Sequence, residues 1–122
     1  LFGTGAVGRA VVEMWQRRIE LYLLSSVAAS FRHIHPAMKE WEVPQLPEWG
    51  EINKPKALDF CRFLDGELAQ RDFIAGDAYS IADITALVAV DFMKPAKIAV
   101  PPECANLLRW HQAVSARPSA QA

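Results

Sequence analysis

Gly3, Gly5 and Gly8 stand at the G-x-G-x-x-G spacing of a dinucleotide-binding turn. That chemistry needs a buried strand before the first glycine, a helix N-terminus facing the pyrophosphate, and an acidic residue about twenty positions on for the ribose. Only Leu1 and Phe2 precede Gly3, too few for a strand, and one long helical pattern follows. The segment is therefore expected to be a glycine-rich lead-in to a helix. His33 and His35 are two apart, so on a helix their rings diverge and no shared metal is expected. His111 falls on the apolar stripe of the last helical pattern and is expected to be a buried, hydrogen-bonded core residue. Asp83 and Asp91 are the acids in the most apolar surroundings, but Asp83 has a capping role and Asp91 is two turns away, so structural duty is expected rather than acid–base catalysis. Nothing places Ser25, Ser26 or Ser30 near a general base, and no catalytic residue is assigned. "WQRRIE" sets Arg17, Arg18 and Glu20 beside Trp15, as a solvated helix face or as a contact for an anionic ligand or a second subunit.

The elements that must position these residues are all helical. Ala10, Met14, Ile19, Leu23, Val27 and Phe31 predict a first helix from about Ala6 to Ser30 or a little beyond, closed by Pro36. The connector "HPAMKEWEVPQLPEWG", with its prolines and indoles, is expected to be an ordered loop. Ala57, Cys61, Leu64 and Leu68 predict a second helix over about Lys54 to Gln70, with Pro55 in its first turn. The sharpest local signal is "YSIADI". Ser80 fits an N-cap whose hydroxyl accepts from the Asp83 amide while the Asp83 carboxylate accepts from the Ser80 amide, with Tyr79 and Ile84 placed as a hydrophobic staple. Ile84, Leu87, Val88, Val90 and Phe92 then leave almost no polar face, which predicts a helix in the middle of a bundle. A last helix carries Cys104, Leu107, Leu108, His111 and Val114 on one stripe and stops at Arg117-Pro118. No period-2 segment competes, so the reading is an all-α bundle of four to five helices, one domain over residues 1–122.

Composition narrows the function. Apolar residues make up 52%, charged residues 22%, and the formal charge is -1, which excludes disorder and argues against a nucleic-acid partner. The apolar windows "LYLLSSVAASF" and "IADITALVAVDF" fall short of the ~20 residues of a membrane span, so a soluble protein with no membrane association is expected. Cys61 and Cys104 have no metal-type spacing and are read as free thiols of a reducing cytoplasm in preference to a disulfide. The lack of an initiator methionine suggests a processed chain or a piece of a longer one.

"FIAGDAYSIADITALVAVDF" followed by "NLLRWHQAVSARPSA" resembles the C-terminal helical domain of glutathione transferases. Gly76, Ser80, Ala82 and Asp83 match the family's buried capping segment, and Asn106, Leu107, Trp110, Arg117 and Pro118 match its closing segment. "GRAVVEMWQRRIE" is similar to the first helix of that domain in bacterial members, and residues 1–5 resemble the end of the interdomain linker. The resemblance implies a bundle that walls the apolar electrophile site and forms part of a homodimer interface. It also implies a separate thioredoxin-like N-terminal domain, absent from these residues, which binds the co-substrate glutathione and activates its thiol. The 122 residues alone would then bind no cofactor and be inactive. Helix geometry nominates Arg18, Tyr22 and Ser26, at spacings of four, for the wall. The alternative is a non-catalytic interaction or dimerisation module of the same fold.

Overall fold

The computed structural model describes all of residues 1–122. Its first half is a rod of three contiguous helical pieces: α1 (Gly5–Arg18), a π-helical turn (Ile19–Leu24) and α2 (Ser25–Ile34). The lead-in works as a turn. Gly3 has φ 90° and approaches Gly8 so closely that a Cβ on it would lie 2.5 Å from the Gly8 carbonyl oxygen, and the Leu1 carbonyl accepts the Ile81 amide at 2.9 Å. Within the rod the buried residues are Val12, Trp15, Ile19, Leu23, Ser26, Val27 and Ser30, while Met14 of the expected stripe is exposed. The π turn explains why a single helical period misaligns the stripe, because it inserts an extra residue into the turn. The Glu20 carbonyl it displaces accepts both the Ser25 amide and the Ser25 hydroxyl, the latter at 3.0 Å.

A 3-10 turn (Pro36–Met38) and an irregular stretch lead to α3 (Pro47–Leu68). This helix begins seven residues before the expected Lys54, and Pro55 sits in its interior rather than in its first turn. Pro47 supplies the helix start, where its missing N–H costs nothing. Tertiary contact carries the helix through Pro55: Gly50 packs against Ile34 and Ser30 of α2, and buried Asn53 donates to the Trp49 carbonyl at 2.8 Å. The connector's ordered conformation depends on histidine. His33 Nδ1 accepts the Leu46 amide at 3.0 Å and His35 Nδ1 accepts the Ala37 amide at 3.1 Å, so each ring is a backbone latch.

α4 (Ile81–Met93) opens with a capping box. The Ser80 amide donates to Asp83 Oδ2 at 2.9 Å, and the Ser80 hydroxyl accepts the Ala82 amide at 3.2 Å. The expected staple takes other partners. Tyr79 packs edge-on against Phe73, ring centroids 6.0 Å apart, and under the Arg117 guanidinium at 3.7 Å, whereas Ile84 is exposed. Nor is α4 enclosed on every side. Ala82, Ala86, Ala89, Val90 and Met93 are buried, yet Val88 is 54% exposed, so an apolar helix here marks a face as well as a core. The Thr85 hydroxyl ties α4 to α1 through Gln16 Oε1 at 2.8 Å.

α5 (Ala105–Ser115) and the short α6 (Pro118–Gln121) close the bundle. The free N-terminal amides of α5 are capped from another helix: Asp65 Oδ1 of α3 accepts from Asn106 at 2.8 Å and Leu107 at 3.0 Å, worth about 1–2 kcal/mol. His111 corrects the core expectation. It is half-buried and its Nε2 meets Asp91 Oδ1 at 2.7 Å, with that aspartate largely exposed on α4; Trp110, wholly buried, takes the core position instead.

Cys61 and Cys104 are free and buried, with Cys61 Sγ 3.8 Å from Met93 Sδ. Burial pushes the Cys61 thiol from 9.0 up to about 12, with Cys104 adding to the rise and Arg62 opposing it. Burial also raises Cys104, followed by the charges of Asp65 and Glu103. The folded chain therefore keeps a Cys61 proton that the unfolded chain releases above about pH 9, so stability falls as pH rises through the window from 9.0 to about 12. The slope for this thiol approaches ~1.4 kcal/mol per pH unit. Urea unfolding followed from about pH 8 to 10 should show this loss in the parent chain and a shallower one in Cys61→Ala. Equal slopes would refute the assignment.

Candidate functional site

The rod and α3 run side by side and leave between them a groove of about 640 Å³. All three sequence-nominated residues, Arg18, Tyr22 and Ser26, lie on its rod wall, in register at one turn each. The sequence reading missed the opposite wall, where α3 contributes Trp49, Asn53, Lys56, Phe60 and Phe63. Their spacings of four, three, four and three form a helical stripe. The signal was present, but starting the helix at Lys54 left its first two members in a loop.

The floor is aromatic. The Tyr22 ring lies 6.0 Å from Phe60, Phe60 lies 5.5 Å from Phe63, and Phe63 stacks on Trp15 at 5.9 Å. Such a volume with aromatic lining suits a compact apolar guest. Half of the lining residues are polar, and three of these spend their donors on helix carbonyls: Ser25 on Glu20 at 3.0 Å, Ser26 on Tyr22 at 3.1 Å and Asn53 on Trp49 at 2.8 Å.

The two arginines of "WQRRIE" separate in role. Arg17 is on the solvated face, bonded to Glu13 at 2.8 Å and Glu20 at 2.7 Å, and these carboxylates raise its pKa. Arg18 turns to the groove and lies 4.4 Å over Trp15 and 4.8 Å over Phe63, while Arg71 approaches Trp15 at 4.8 Å. Trp15, nearly fully buried, is thus flanked by two guanidiniums.

The remaining sequence candidates lie elsewhere. Ser80, Asp83, Tyr79 and Ile84 are at the start of α4 and outside the groove. His33 and His35 are occupied in the connector, His33 Nε2 also facing Glu42 Oε1 at 3.3 Å. No group of three or more His, Cys, Asp or Glu side chains is placed to hold a metal ion, and no helix is long and apolar enough to cross a membrane.

An all-helical bundle whose long first rod and third helix enclose an aromatic groove, with a buried Ser-x-x-Asp capping box at its centre, defines a class. The chain belongs to the glutathione S-transferase C-terminal domain family, which matches residues 29–118. Among known proteins, glutathione S-transferase 2 of Saccharomyces cerevisiae is 37% identical over 120 residues, or 98% of this chain and 52% of that relative. The crystal structure of Gtt2 from Saccharomyces cerevisiae superposes with a TM-score of 0.94 at 36% identity, covering 99% of this chain and 59% of that one. A glutathione S-transferase of class Gtt2 from Vibrio parahaemolyticus gives 0.86 at 33% identity, covering 100% and 56%. The chain thus spans about half the length of the relatives it matches.

Proposed function

We propose that these residues form the electrophile-binding wall of a glutathione transferase. The observation that carries this reading is the aromatic groove between the rod and α3, with Arg18, Tyr22 and Ser26 on one side and Phe60 and Phe63 on the other. Glutathione is the co-substrate, bound by a thioredoxin-like domain outside these residues. Its thiolate attacks the electrophilic carbon of a guest lying on Tyr22 and Phe60, forming a thioether as the leaving group departs. The groove contributes orientation and exclusion of water, not proton transfer, so the 122 residues alone are inactive. The same reading places residues 1–5 in an interdomain linker, the protein in the cytoplasm, and part of this bundle in a homodimer interface. The exposed apolar residues Ile84 and Val88 on α4 support covering of that face by another domain or subunit.

The test uses the longest natural chain that contains these residues, assayed with glutathione and 1-chloro-2,4-dinitrobenzene. Tyr22→Ala, at a residue that is 58% exposed and so of little weight in folding, should raise KM for the electrophile about fivefold, the worth of one aromatic contact. KM for glutathione should be unchanged. Conjugation that is indifferent to Tyr22, or none at all, overturns the wall reading and favours a non-catalytic interaction module of the same fold.

A further inference from the structure

Two cations on the groove have no carboxylate partner. Arg17 has two carboxylates and Arg71 has Glu67 at 2.7 Å. Arg18, adjacent to Arg17, forms no ion pair, and none of its hydrogens is donated to a protein acceptor. Its guanidinium carbon instead lies 4.4 Å from the Trp15 ring centroid and 4.8 Å from that of Phe63, and its N–H donors have no acceptor in the protein. Lys56, on the other wall, lies 4.9 Å from the Trp49 ring and likewise has no carboxylate partner. The one acid on the groove, Asp59, is engaged by Arg62 at 3.3 Å and is mostly in solvent. An excess of positive charge therefore borders an apolar floor in a chain whose formal charge is -1.

We infer that the guest of this groove is an aromatic compound bearing an acidic substituent, a carboxylate or sulfonate, with Arg18 as the residue that selects it. This deepens the proposed function and rests on the groove being the electrophile site. The ring lies on Tyr22 and Phe60, and the anion receives the N–H donors of Arg18, whose guanidinium already packs against Trp15 and Phe63. Preorganisation matters here, because a guanidinium already packed against two rings loses less rotamer freedom on binding than one in solvent. Lys56 adds a less directional attraction from across the groove.

The discriminating experiment is equilibrium binding of two near-isosteric probes, 2-naphthalenesulfonate and the neutral 2-naphthalenesulfonamide. It is made on the longest natural chain containing these residues, with S-methylglutathione saturating so that the glutathione site is closed to the sulfonate. The sulfonate should bind about tenfold more tightly, as expected for one charge-assisted pair, and its advantage should shrink as salt is raised. Arg18→Gln should bring the ratio of the two affinities close to one, while Arg18→Lys should retain part of it. Should Arg18→Gln fail to fold, the ratio in the parent chain, its salt dependence and its decline in Lys56→Gln still decide the matter. Equal affinities in the parent chain, or a preference that survives Arg18→Gln in full, overturn the selection by Arg18 while leaving the groove reading intact. Binding of neither probe, or binding that Tyr22→Ala does not weaken, removes the groove reading and this inference with it.

Discussion

Replacing Asp83 with alanine is expected to cost about 5 kcal/mol, enough to unfold a domain of this size in a large fraction of the population. The side chain is completely buried and gathers three elements. Oδ1 accepts the Ile74 amide at 3.0 Å from the turn after α3 and the Trp110 indole N–H at 2.8 Å from α5; Oδ2 accepts the Ser80 amide at 2.9 Å at the head of α4. Truncation strands three donors that no water can reach, each at about 1–3 kcal/mol, and opens a void beside them. Asp83→Asn preserves the volume but turns an NH₂ group toward donors, so it should be milder, about 3 kcal/mol. Urea unfolding of both variants in one background measures the order. An alanine variant within about 1 kcal/mol of the parent would show that the carboxylate is not the junction these bonds describe.

The second large effect is expected at Gly50, from crowding instead of loss. A Cβ there would lie 2.6 Å from Ile34 Cγ1, 2.7 Å from Ile34 Cδ1 and 3.3 Å from the Ser30 carbonyl oxygen. The side-chain atoms can move, and the backbone carbonyl can do so only with α2. Gly50→Ala is therefore expected to cost about 1–2 kcal/mol, and Gly50→Val, whose branch also meets the Ser30 side of the contact, about 3 kcal/mol. Because Trp49 and Asn53 flank this point on the groove wall, forcing α2 from α3 should also raise KM for the electrophile. A second change identifies the cause. Ile34→Ala in the Gly50→Ala background should recover most of the loss, giving a coupling of about 1 kcal/mol. Strictly additive costs would mean that something other than this contact disfavours a side chain at Gly50.

The parts of this molecule that were readable in the sequence are those whose partners are close along the chain. Ser80 and Asp83 are three residues apart and their capping box is visible in the letters, but Trp110, the third partner of Asp83, is 27 residues further on. Asp65 caps α5 from 41 residues away, and no local rule points to it. The four main helical stretches are legible from period and caps, as is the family resemblance from ordered motifs, whereas α6 begins at Pro118, where the letters only mark a stop. Misplacement came where one local rule was given too much authority. Pro55 reads locally as a first-turn proline, but Pro47 begins the helix, and the Gly50–Ile34 approach beside the intervening turns is tertiary. Half the groove wall was lost with it. The stripe of α5 points His111 to the core, and only the position of α4 shows that the ring reaches outward to Asp91.

The π-helical turn at Ile19–Leu24 joins α1 and α2 in one rod, yet it leaves the two halves out of phase by one residue. A residue in an α-helix accounts for about 100° of rotation. Upstream of the turn the rod presents Trp15 and Arg18 to α3; downstream it presents Ser26 and Ala29 to the same groove. Winding the same residues as an unbroken α-helix, without the π turn, would rotate everything from Ser25 onward by about a quarter of a circle relative to α1. Ser30 and Val27 would leave the core and exposed residues would enter it. The extra residue is thus a phase correction, and the length of this turn, more than its composition, sets which side chains in the second half of the rod the groove receives.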